Sequence, residues 1–472
     1  MAADLRTFLA EHEASIYRPA APLSVIQEIT AIQHAVWEAG WSPMVVVDKP
    51  VLPNGKTAAM PVATNLFASR ALCATALGLA DHRDSARAFA ALSAKPIPPV
   101  VFEGGTPPVQ EVVQTGHDVD LAILPALHQH EGDAGRYVTA GHAITIDPDT
   151  GVDNMTIHRC QLRGPRLMGI YIYENSHSHL NVRRFWERGE ACPVAIWVGH
   201  HPAAQMGAQA KQGYPQSHFA SAGGALGEPL RVVPSITHGA RIMVPADAEL
   251  VIEGFIPPDR FEAEGPFAEY TGYQGPQVAQ PVMEVTCITH RRDAIYHDIG
   301  SGLPDHLIPD NMAMEGTIYT MCRGAAPALV NVHVPFSGRR YHAYLQLHEP
   351  RTGEVRDALT TALGYRRLKF VVAVDTDIDM FDDRQVMWAI STRTQWHRDT
   401  IRIDGLSPGN LDPSLPLGWN TSTKLAIDAT LPRARIAGGP KPVAPINRVS
   451  DDTLRHAHSL IAGADSRHWP KA

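Results

Sequence analysis

Two glutamates around a Gly-Pro corner are the residues of this sequence best suited to acid–base chemistry. Glu264 and Glu269 flank the segment Gly265-Pro266-Phe267-Ala268 within an otherwise apolar stretch. Because glycine and proline restrict the backbone, we expect both acids to lie on a rigid turn. A carboxyl group kept from water has a raised pKa and can donate a proton near neutral pH. Alone, such a pair is more often an exposed surface turn, so residues elsewhere must decide.

An amide and a guanidinium lie close together in the segment Asn154-Met155-Thr156-Ile157-His158-Arg159. The Asn154 amide oxygen is a ligand that hard metal ions accept, and the planar fork of Arg159 suits a carboxylate or a phosphate. In a flat strand these two side chains point to opposite faces, so the chain must bend if they share a site. The alternative interpretation is a hairpin with exposed polar residues.

Three histidines are candidate metal ligands, since neutral imidazoles bind Zn, Mn or Fe. His177 and His179 share one face if their segment is extended, and His218 precedes a glycine-rich turn over residues 222–227. Scattered histidines are nevertheless more often core or surface residues. Lys424, near the C-terminus, is either a phosphate partner or a solvated lysine.

Hydrophobic periodicity predicts the elements that position these residues. Residues 1 to about 100 form an α/β unit, which ends at a proline-rich break over residues 94–99. Its predicted helices are 4–11, 22–40 (with Ser24 as the cap), 69–79 and 85–93, and its strand is 44–47. Residues 105–310 predict an antiparallel sheet or barrel, with strands 143–146, 169–173, 194–198 and 250–253 and helices 183–188 and 203–210. The final third returns to α/β, with strands 329–334 and 370–374 and helices 355–363 and 384–390.

Composition excludes several classes of protein. The 472 residues carry a formal charge of −8 without a basic stripe, which argues against nucleic-acid binding. No apolar run reaches the roughly 18 to 20 residues of a membrane span, and the N-terminus lacks the features of a signal peptide. The five cysteines form no CxxC pair, so we expect free thiols and a cytoplasmic location.

Taken in order, these segments resemble the UbiD family of reversible decarboxylases. The matching features run from about residue 110 to 432, and the ordered set is specific although each motif is loose. They are Asn154 with Arg159, a His before the amphipathic helix, 193–196, Gly199 with Pro202, 222–229, 251–254, 264–272, 385–389, and Lys424 with 428–430.

The resemblance implies a mixed α/β fold in three parts. Residues 1–105 are an N-terminal α/β domain, and residues 106–312 are a central split β-barrel that binds flavin and metal. Residues 313–472 are a C-terminal α/β domain that oligomerises, giving a homodimer or a homohexamer.

The resemblance also implies prenylated FMN, a divalent metal and a monovalent cation, K⁺ or Na⁺. The implied cofactor contacts are Asn154, Met155, Thr156, Ile157, His158, Arg159, Ser178, His179, His218 and Lys424. The implied metal ligands are Asn154, His179 and His218, with His177 as the alternative to His179. Manganese is the family's usual metal, but His218 stands where relatives carry a glutamate, which favours zinc or iron as alternatives.

The implied activity is removal of CO₂ from an aromatic, heteroaromatic or α,β-unsaturated acid. Breaking the bond between the ring or alkene carbon and the carboxylate needs an electron-accepting cofactor, which prenylated FMN would supply. Arg159 orients the substrate carboxylate, Glu264 tunes Arg159, and Glu269 donates the proton. His297, Asp305 and His306 lie on a loop expected to face the substrate, although a structural loop is the equal alternative. A UbiX-type flavin prenyltransferase is the expected cofactor supplier. The competing hypotheses are a metal-dependent hydrolase and a catalytically impaired prenylated-flavin-binding protein.

Overall fold

The structure is a computed structural model that describes residues 3–92, 95–174, 176–210, 213–409, 411–416, 418–431, 447 and 449–462. The chain forms two compact units, Met1–Thr430 and Leu431–Ala472, and each is described by itself. The first residue of the predicted proline-rich break, Ala94, and the last ten residues of the predicted C-terminal domain lie outside the described residues.

A four-stranded sheet organises the N-terminal part. Its strands, in order, are Ile16–Tyr17, Met44–Val47, Val62–Thr64 and Tyr296–His297. The surrounding helices are Leu5–Glu11, Glu28–Glu38, Arg70–Ala76 and Ser85–Leu92. Asp4 and Ser69 cap the first and third of these through their side-chain oxygens. The fourth strand joins from more than 200 residues away, so the sheet holds the segment that contains His297.

The helix predicted over residues 22–40 is shorter than its periodicity indicated. It begins at Glu28, because Leu23–Ser24 pairs in parallel with Pro50–Val51. Ser24 is therefore not its cap, and its hydroxyl instead accepts the Ile26 N–H at 3.0 Å. The prediction of a cap at Ser24 was wrong, because Ser24 ends a short strand and its hydroxyl closes a local turn with the Ile26 N–H.

The predicted central antiparallel sheet is confirmed and contains ten strands in the described residues. The strands are Val112–Thr115, Tyr137–Val138, His142–Ile146, Asp153–Ile157, Cys160–Gly164, Leu167–Ile170, Cys192–Val198, Leu250–Ile256, Phe261–Glu264 and Val278–His290. All seven residues of Cys192–Val198 are buried, so both faces of the sheet are covered there. A three-stranded sheet, Val100–Val101, Arg231–Ser235 and Gly239–Pro245, lies beside it, and Phe267–Ala268 pairs with Gln274–Gly275.

Three helices accompany the central sheet, and two of them differ from prediction. They are His177–Glu187, Pro202–Ala208 and His218–Leu226. The segment with His177 and His179 is therefore helical rather than extended. The glycine-rich segment is also a helix and not a turn. Its glycines allow close packing, since a Cβ on Gly223 or Gly224 would lie 2.5 Å from a backbone oxygen of Ile97 or Lys95.

The C-terminal part is built on a five-stranded sheet. Its strands, in order, are Leu329–His333, His342–Leu347, Phe370–Asp375, Ser422–Asp428 and Thr400–Leu406. Its helices are Pro304–Ala325, Glu354–Leu363, Asp383–Arg393 and Trp396–Asp399. The predicted domain boundary at 312/313 falls inside the helix Pro304–Ala325. In the second unit, the helix Asp451–Ile461 is capped by Ser450.

The fold class predicted from the sequence, mixed α/β, is confirmed. The five cysteines are all buried and unpaired, as expected of free thiols. Within the described part of the chain, no helix combines the length and the apolar character that crossing a bilayer requires.

Candidate active site

Arg159 binds both glutamates of the Gly-Pro corner, although more than 100 residues separate them in sequence. Its Nε and Nη2 donate to the two carboxylate oxygens of Glu264 at 2.9 and 2.8 Å, and its Nη1 donates to Glu269. The side chains are largely removed from water, with exposed fractions of 10% for Arg159, 0% for Glu264 and 13% for Glu269. The three predicted catalytic residues therefore form one cluster.

A bend in the chain brings Arg159 to this position. The strand Asp153–Ile157 ends before His158, and the next strand begins at Cys160, so Arg159 lies in the connection. The bend expected from the spacing of Asn154 and Arg159 is thus present. It allows Asn154 to lie on the strand while Arg159 extends toward the glutamates.

A rigid corner and a short hairpin hold the two acids. Glu264 ends the strand Phe261–Glu264, and Gly265 follows with a φ of 79°, a conformation that favours glycine. A Cβ at Gly265 would lie 3.0 Å from the Pro276 carbonyl oxygen. Phe267–Ala268 then pairs with Gln274–Gly275, and the Glu269 N–H donates to the Tyr273 carbonyl oxygen at 3.0 Å. The predicted rigid turn is confirmed.

Two aromatic rings cover the guanidinium, and sequence reasoning missed their role. The Arg159 Cζ lies 4.2 Å from the centre of the Tyr171 ring and 5.2 Å from that of Phe267. Such cation–π contacts stabilise a desolvated guanidinium. Tyr171 follows the strand Leu167–Ile170, and its place within the predicted strand 169–173 was the only signal.

Burial sets the protonation of the cluster. It raises the pKa of Glu269, and the neighbouring Arg159 offsets only part of this effect. Burial alone lowers the pKa of Arg159, but the carboxylates of Glu264 and Glu269 outweigh it and raise the pKa. The Arg159 guanidinium, which is permanently charged, therefore lies beside the Glu269 carboxyl group, which retains its proton to higher pH than usual.

A second candidate site surrounds Asn154. Its amide Nδ2 donates to the hydroxyls of Ser178 at 2.7 Å and Thr156 at 3.2 Å, which directs the amide oxygen away from them. Met155 is buried, and its carbonyl oxygen accepts from His218 Nδ1 at 2.8 Å. The Met155 N–H lies 3.1 Å from the same ring nitrogen, so the Met155 backbone fixes the position of the His218 imidazole.

Two helix N-termini meet the strand at this point. His218 begins one helix, and its backbone N–H donates to Asp153 at 2.8 Å. Ser178 lies in the first turn of the other, which Ser176 caps. Backbone N–H groups and the helix dipole make such ends suitable for an anion.

A partly open pocket lies between these elements. Its lining residues are Val152, Asp153, Asn154, His177, Asn181, Tyr214, Gln216 and His218. Of the two alternative histidines, His177 lines this pocket and His179 does not. Among the described residues, no group of three His, Cys, Asp or Glu side chains is placed to hold a metal ion.

Lys424 lies in the C-terminal sheet, on the strand Ser422–Asp428. Its ammonium group is buried and donates to the carbonyl oxygens of Leu363 at 3.0 Å, Tyr365 at 2.9 Å and Arg366 at 3.3 Å. An ammonium group has three protons, and these carbonyls can accept all of them. The geometry gives Lys424 a structural role at the end of the helix Glu354–Leu363.

The three residues predicted to face the substrate have different surroundings: Asp305 and His306 bind the nearby backbone, whereas the His297 ring has no described hydrogen-bond partner. The Asp305 carboxylate accepts the backbone N–H groups of Asn65 at 3.0 Å and Phe67 at 2.8 Å, and burial raises its pKa to about 6. His306 accepts the Gly302 N–H at 3.2 Å. His297 is fully buried beside the Phe67 ring, and neither of its ring nitrogens has a hydrogen-bond partner among the described residues.

The fold and the cluster together define an enzyme site in which a guanidinium and a protonatable acid lie side by side. Models of the three domains of 3-octaprenyl-4-hydroxybenzoate carboxy-lyase match the chain. The N-terminal domain matches residues 11–92, the Rift-related domain residues 100–304, and the C-terminal domain residues 311–429. The chain belongs to the UbiD family, and it is a carboxy-lyase.

Solved structures agree with this assignment. The UbiD-class enzyme HmfF from Pelotomaculum thermopropionicum, in complex with FMN, is 33% identical with a TM-score of 0.87, over 96% of this chain and 98% of that chain. An evolved dimeric form of HmfF in complex with prFMN is 32% identical with a TM-score of 0.84, over 96% and 98%. The vanillic acid decarboxylase of Sedimentibacter hydroxybenzoicus, in an open form, is 26% identical with a TM-score of 0.82, over 98% of each chain.

Proposed function

We propose that this protein is a reversible, non-oxidative decarboxylase of an aromatic, heteroaromatic or α,β-unsaturated carboxylic acid that uses prenylated FMN. The observation that carries the proposal is the buried cluster of Arg159, Glu264 and Glu269 in a member of the UbiD family. Solved relatives bind FMN or prFMN, and one is a decarboxylase of an aromatic acid.

Arg159 orients the substrate carboxylate. Three of its five N–H groups donate to Glu264 and Glu269, and the other two, one on each terminal nitrogen, form an edge that a carboxylate can accept from. The bidentate contact with Glu264 fixes the plane of the fork. Glu264 therefore positions Arg159 and keeps it charged.

Glu269 supplies the proton that replaces CO₂. Its carboxyl group lies on Arg159, so it is next to the place where the substrate carboxylate binds. Its raised pKa favours the protonated form that a general acid needs. In the carboxylation direction, Glu269 accepts the same proton.

The residues around Asn154 fit a phosphorylated flavin with a divalent cation. The N-terminus of the helix His177–Glu187 and the Ser178 and Thr156 hydroxyls suit a phosphate, and the Asn154 amide oxygen with the imidazoles of His177 and His218 suits a cation. When bound, prenylated FMN supplies the electron-accepting capacity that amino-acid side chains lack. The protein orients the acid against it and excludes water.

Because imidazole binds zinc and iron well, the two histidines among the proposed ligands make these metals candidates in addition to manganese. K⁺ or Na⁺ is proposed as the accompanying monovalent cation, and a UbiX-type prenyltransferase as the cofactor supplier. We further propose that the central sheet is the family's split β-barrel and that the domains are 1–105, 106–312 and 313–472. A homodimer or a homohexamer is the proposed assembly.

His297 is the proposed contact for a polar group of the substrate. Both of its ring nitrogens are buried without a described partner, and burial lowers its pKa to about 3, so the ring is neutral. A neutral imidazole can donate one hydrogen bond and accept another. Asp305 and His306 hold the surrounding backbone, which favours a supporting role for them.

The test is expression of the protein with and without a UbiX-type prenyltransferase, followed by mass spectrometry of the bound cofactor and a screen of carboxylic acids. We expect prenylated FMN to copurify and at least one aromatic or heteroaromatic acid to lose CO₂. Bound cofactor without turnover of any acid would favour the flavin-binding-protein hypothesis. Hydrolysis by flavin-free, metal-loaded protein would favour the hydrolase.

A further inference from the structure

The residue before Glu269, Ala268, is held through both its N–H and its carbonyl oxygen by side chains of distant segments. The Ala268 N–H donates to Asp133 Oδ1 at 2.8 Å, and the Ala268 carbonyl oxygen accepts from the Ser301 hydroxyl at 2.5 Å. We propose that Asp133 is a positioning residue for the reaction, which acts by fixing the backbone that carries Glu269. This inference rests on the proposed function, since it takes Glu269 as the proton donor.

Asp133 contacts both strands of the hairpin that presents Glu269. Besides the Ala268 N–H on the first strand, its Oδ1 accepts from Gln274 Nε2 on the second strand at 3.1 Å. Its Oδ2 accepts the His130 N–H at 2.9 Å, and the His130 ring nitrogen lies 3.5 Å away. One carboxylate therefore joins the two strands to the loop at residue 130.

The Asp133 carboxylate is suited to this role because it stays ionised although it is fully buried. Burial alone raises its pKa, but hydrogen bonds from His130, Gln274 and the Ala268 N–H outweigh burial and lower the pKa. An ionised carboxylate accepts at every lone pair and makes stronger hydrogen bonds than a neutral group.

Neighbouring contacts connect the same loop to the Arg159 side of the cluster. The Ala134 N–H donates to the Pro266 carbonyl oxygen at 2.8 Å, and the Ala134 carbonyl oxygen accepts from Gln161 Nε2 at 3.1 Å. Gln161 lies two positions after Arg159 in sequence. The loop that carries Asp133 therefore links the backbone of the acid to the strand that follows the guanidinium.

Geometry explains why such support matters for the rate. A proton donor must lie within hydrogen-bond reach of the reacting atom, and a misplacement of about 1 Å can cost about 100-fold in rate. Asp133 contacts neither the Arg159 guanidinium nor the Glu269 carboxyl group in the described part of the chain. Its influence therefore passes through the Ala268 peptide.

The test compares Asp133→Ala and Asp133→Asn with wild-type holoenzyme. For Asp133→Ala we expect kcat to fall about tenfold to 100-fold, with KM and bound flavin within about twofold. Asp133→Asn keeps an oxygen that can accept the Ala268 N–H, so it should recover part of the loss. The matched control is Glu315→Gln, which alters another buried, ionised carboxylate, and its folded fraction should keep the wild-type kcat.

Amide hydrogen exchange of residues 264–275 in the flavin-free protein gives a readout that does not depend on activity. Asp133→Ala should accelerate exchange there more than in the rest of the chain, whereas Glu315→Gln should not affect this segment selectively. Unchanged exchange, or a kcat within about twofold of wild type at full flavin content, would overturn the positioning role. If wild type turns over no acid, the proposed function fails, while faster exchange in Asp133→Ala alone still indicates that Asp133 holds this hairpin.

Discussion

At the scale of single residues, the shared guanidinium makes the two glutamates chemically unequal. Glu264 takes a bidentate contact and is fully buried, whereas Glu269 takes one contact and keeps a small exposed fraction. Burial also raises the pKa of Glu269. The single contact and the raised pKa support the proposal that Glu269 exchanges a proton.

The first prediction concerns Glu269→Gln. This change removes the proton but keeps the size of the side chain, so turnover should fall about 100-fold or more while flavin content stays the same. Glu262→Gln is the matched control, because Glu262 lies in the same hairpin region and pairs with Arg163 instead. Steady-state kinetics and flavin absorbance check both variants, and equal rates in the two would remove Glu269 from the mechanism.

The wild-type rate should also decline on the alkaline side. In the proposed mechanism the protonated form of Glu269 is the active donor, and burial raises its pKa, so the decline should lie at higher pH than an ordinary glutamate gives. A kcat–pH profile measures the alkaline decline, and the residual activity of Glu269→Gln should not show it.

Residue chemistry was predictable from the sequence only where side-chain type restricts the partner. A buried arginine requires acids, so Arg159, Glu264 and Glu269 could be grouped once the resemblance to the UbiD family indicated a shared site. The stacking of Tyr171 could not be predicted, because an aromatic side chain in a predicted strand has many apolar surfaces to pack against. Lys424 could not be assigned either, since a lysine binds a phosphate or carbonyl oxygens equally well.

At the scale of elements, the helix His177–Glu187 places the two alternative metal ligands in different surroundings. Successive residues of a helix are about 100° apart, so His177 and His179 point in nearly opposite directions and only one can face the pocket. His177 lines the pocket.

The second prediction follows from this helix. His177→Ala should lower the bound divalent metal to well below one equivalent, whereas His179→Ala should keep the wild-type content. His218→Ala should resemble His177→Ala. Elemental analysis of purified protein measures all three, and metal loss in His179→Ala alone would restore the ligand set predicted from the sequence.

The third prediction concerns the C-terminal end of the helix Glu354–Leu363. Lys424→Met leaves three buried carbonyl oxygens without their donor, which should cost about 1 to 3 kcal/mol of unfolding free energy. Flavin content of the folded variant should stay unchanged. Thermal denaturation and flavin absorbance separate this outcome from loss of a cofactor ligand, which would lower flavin content without lowering stability.

Elements were predictable where periodicity agreed with local chemistry, as for Met44–Val47 and Leu5–Glu11 with its Asp4 cap. They were not predictable where tertiary packing decides. The segment His218–Leu226 contains two glycines that favour a turn locally, yet close contact with residues 95–97 favours a helix. Residues 177–182, the first six of the helix His177–Glu187, were missed because their histidines, serine and asparagine carry little helical signal.

At the scale of the molecule, a buried carboxylate connects the N-terminal helices to the C-terminal sheet. Glu315 accepts from Arg70 at 2.8 Å and from the Ser85 hydroxyl at 2.5 Å, and it contacts the His333 ring at 2.9 Å. Burial alone raises the pKa of Glu315, but Arg70 and His333 lower it to about 2.

The fourth prediction is an acid-sensitive stability. Because the folded pKa of Glu315 lies below its unfolded value of 4.5, the stabilisation is complete above pH 4.5 and is lost as the pH falls toward 2. Glu315→Gln should lose about 3 kcal/mol at neutral pH and show a smaller acid dependence. Chemical denaturation at several pH values measures both, and an equal acid dependence in the two proteins would contradict the assignment.

The order of the three parts was predictable at this scale, because hydrophobic patterns change along the chain. Pairing between distant segments was not. Tyr296–His297 extends the sheet of Val62–Thr64, and a periodicity of two residues cannot identify a partner more than 200 positions away. For the same reason the sequence placed His297 on a loop, although it lies in a strand.

The cluster holds two carboxyl groups and one guanidinium, and this charge balance affects the binding of a carboxylic acid substrate. Arg159 contributes one positive charge, and Glu264 and Glu269 contribute two negative charges when both are ionised. An incoming carboxylate adds a third anion in a setting with little water, so its entry is favoured when one proton arrives with it. Affinity for the acid should then strengthen as the solution becomes more acidic, and titration calorimetry in buffers of different ionisation enthalpy counts the protons that are bound.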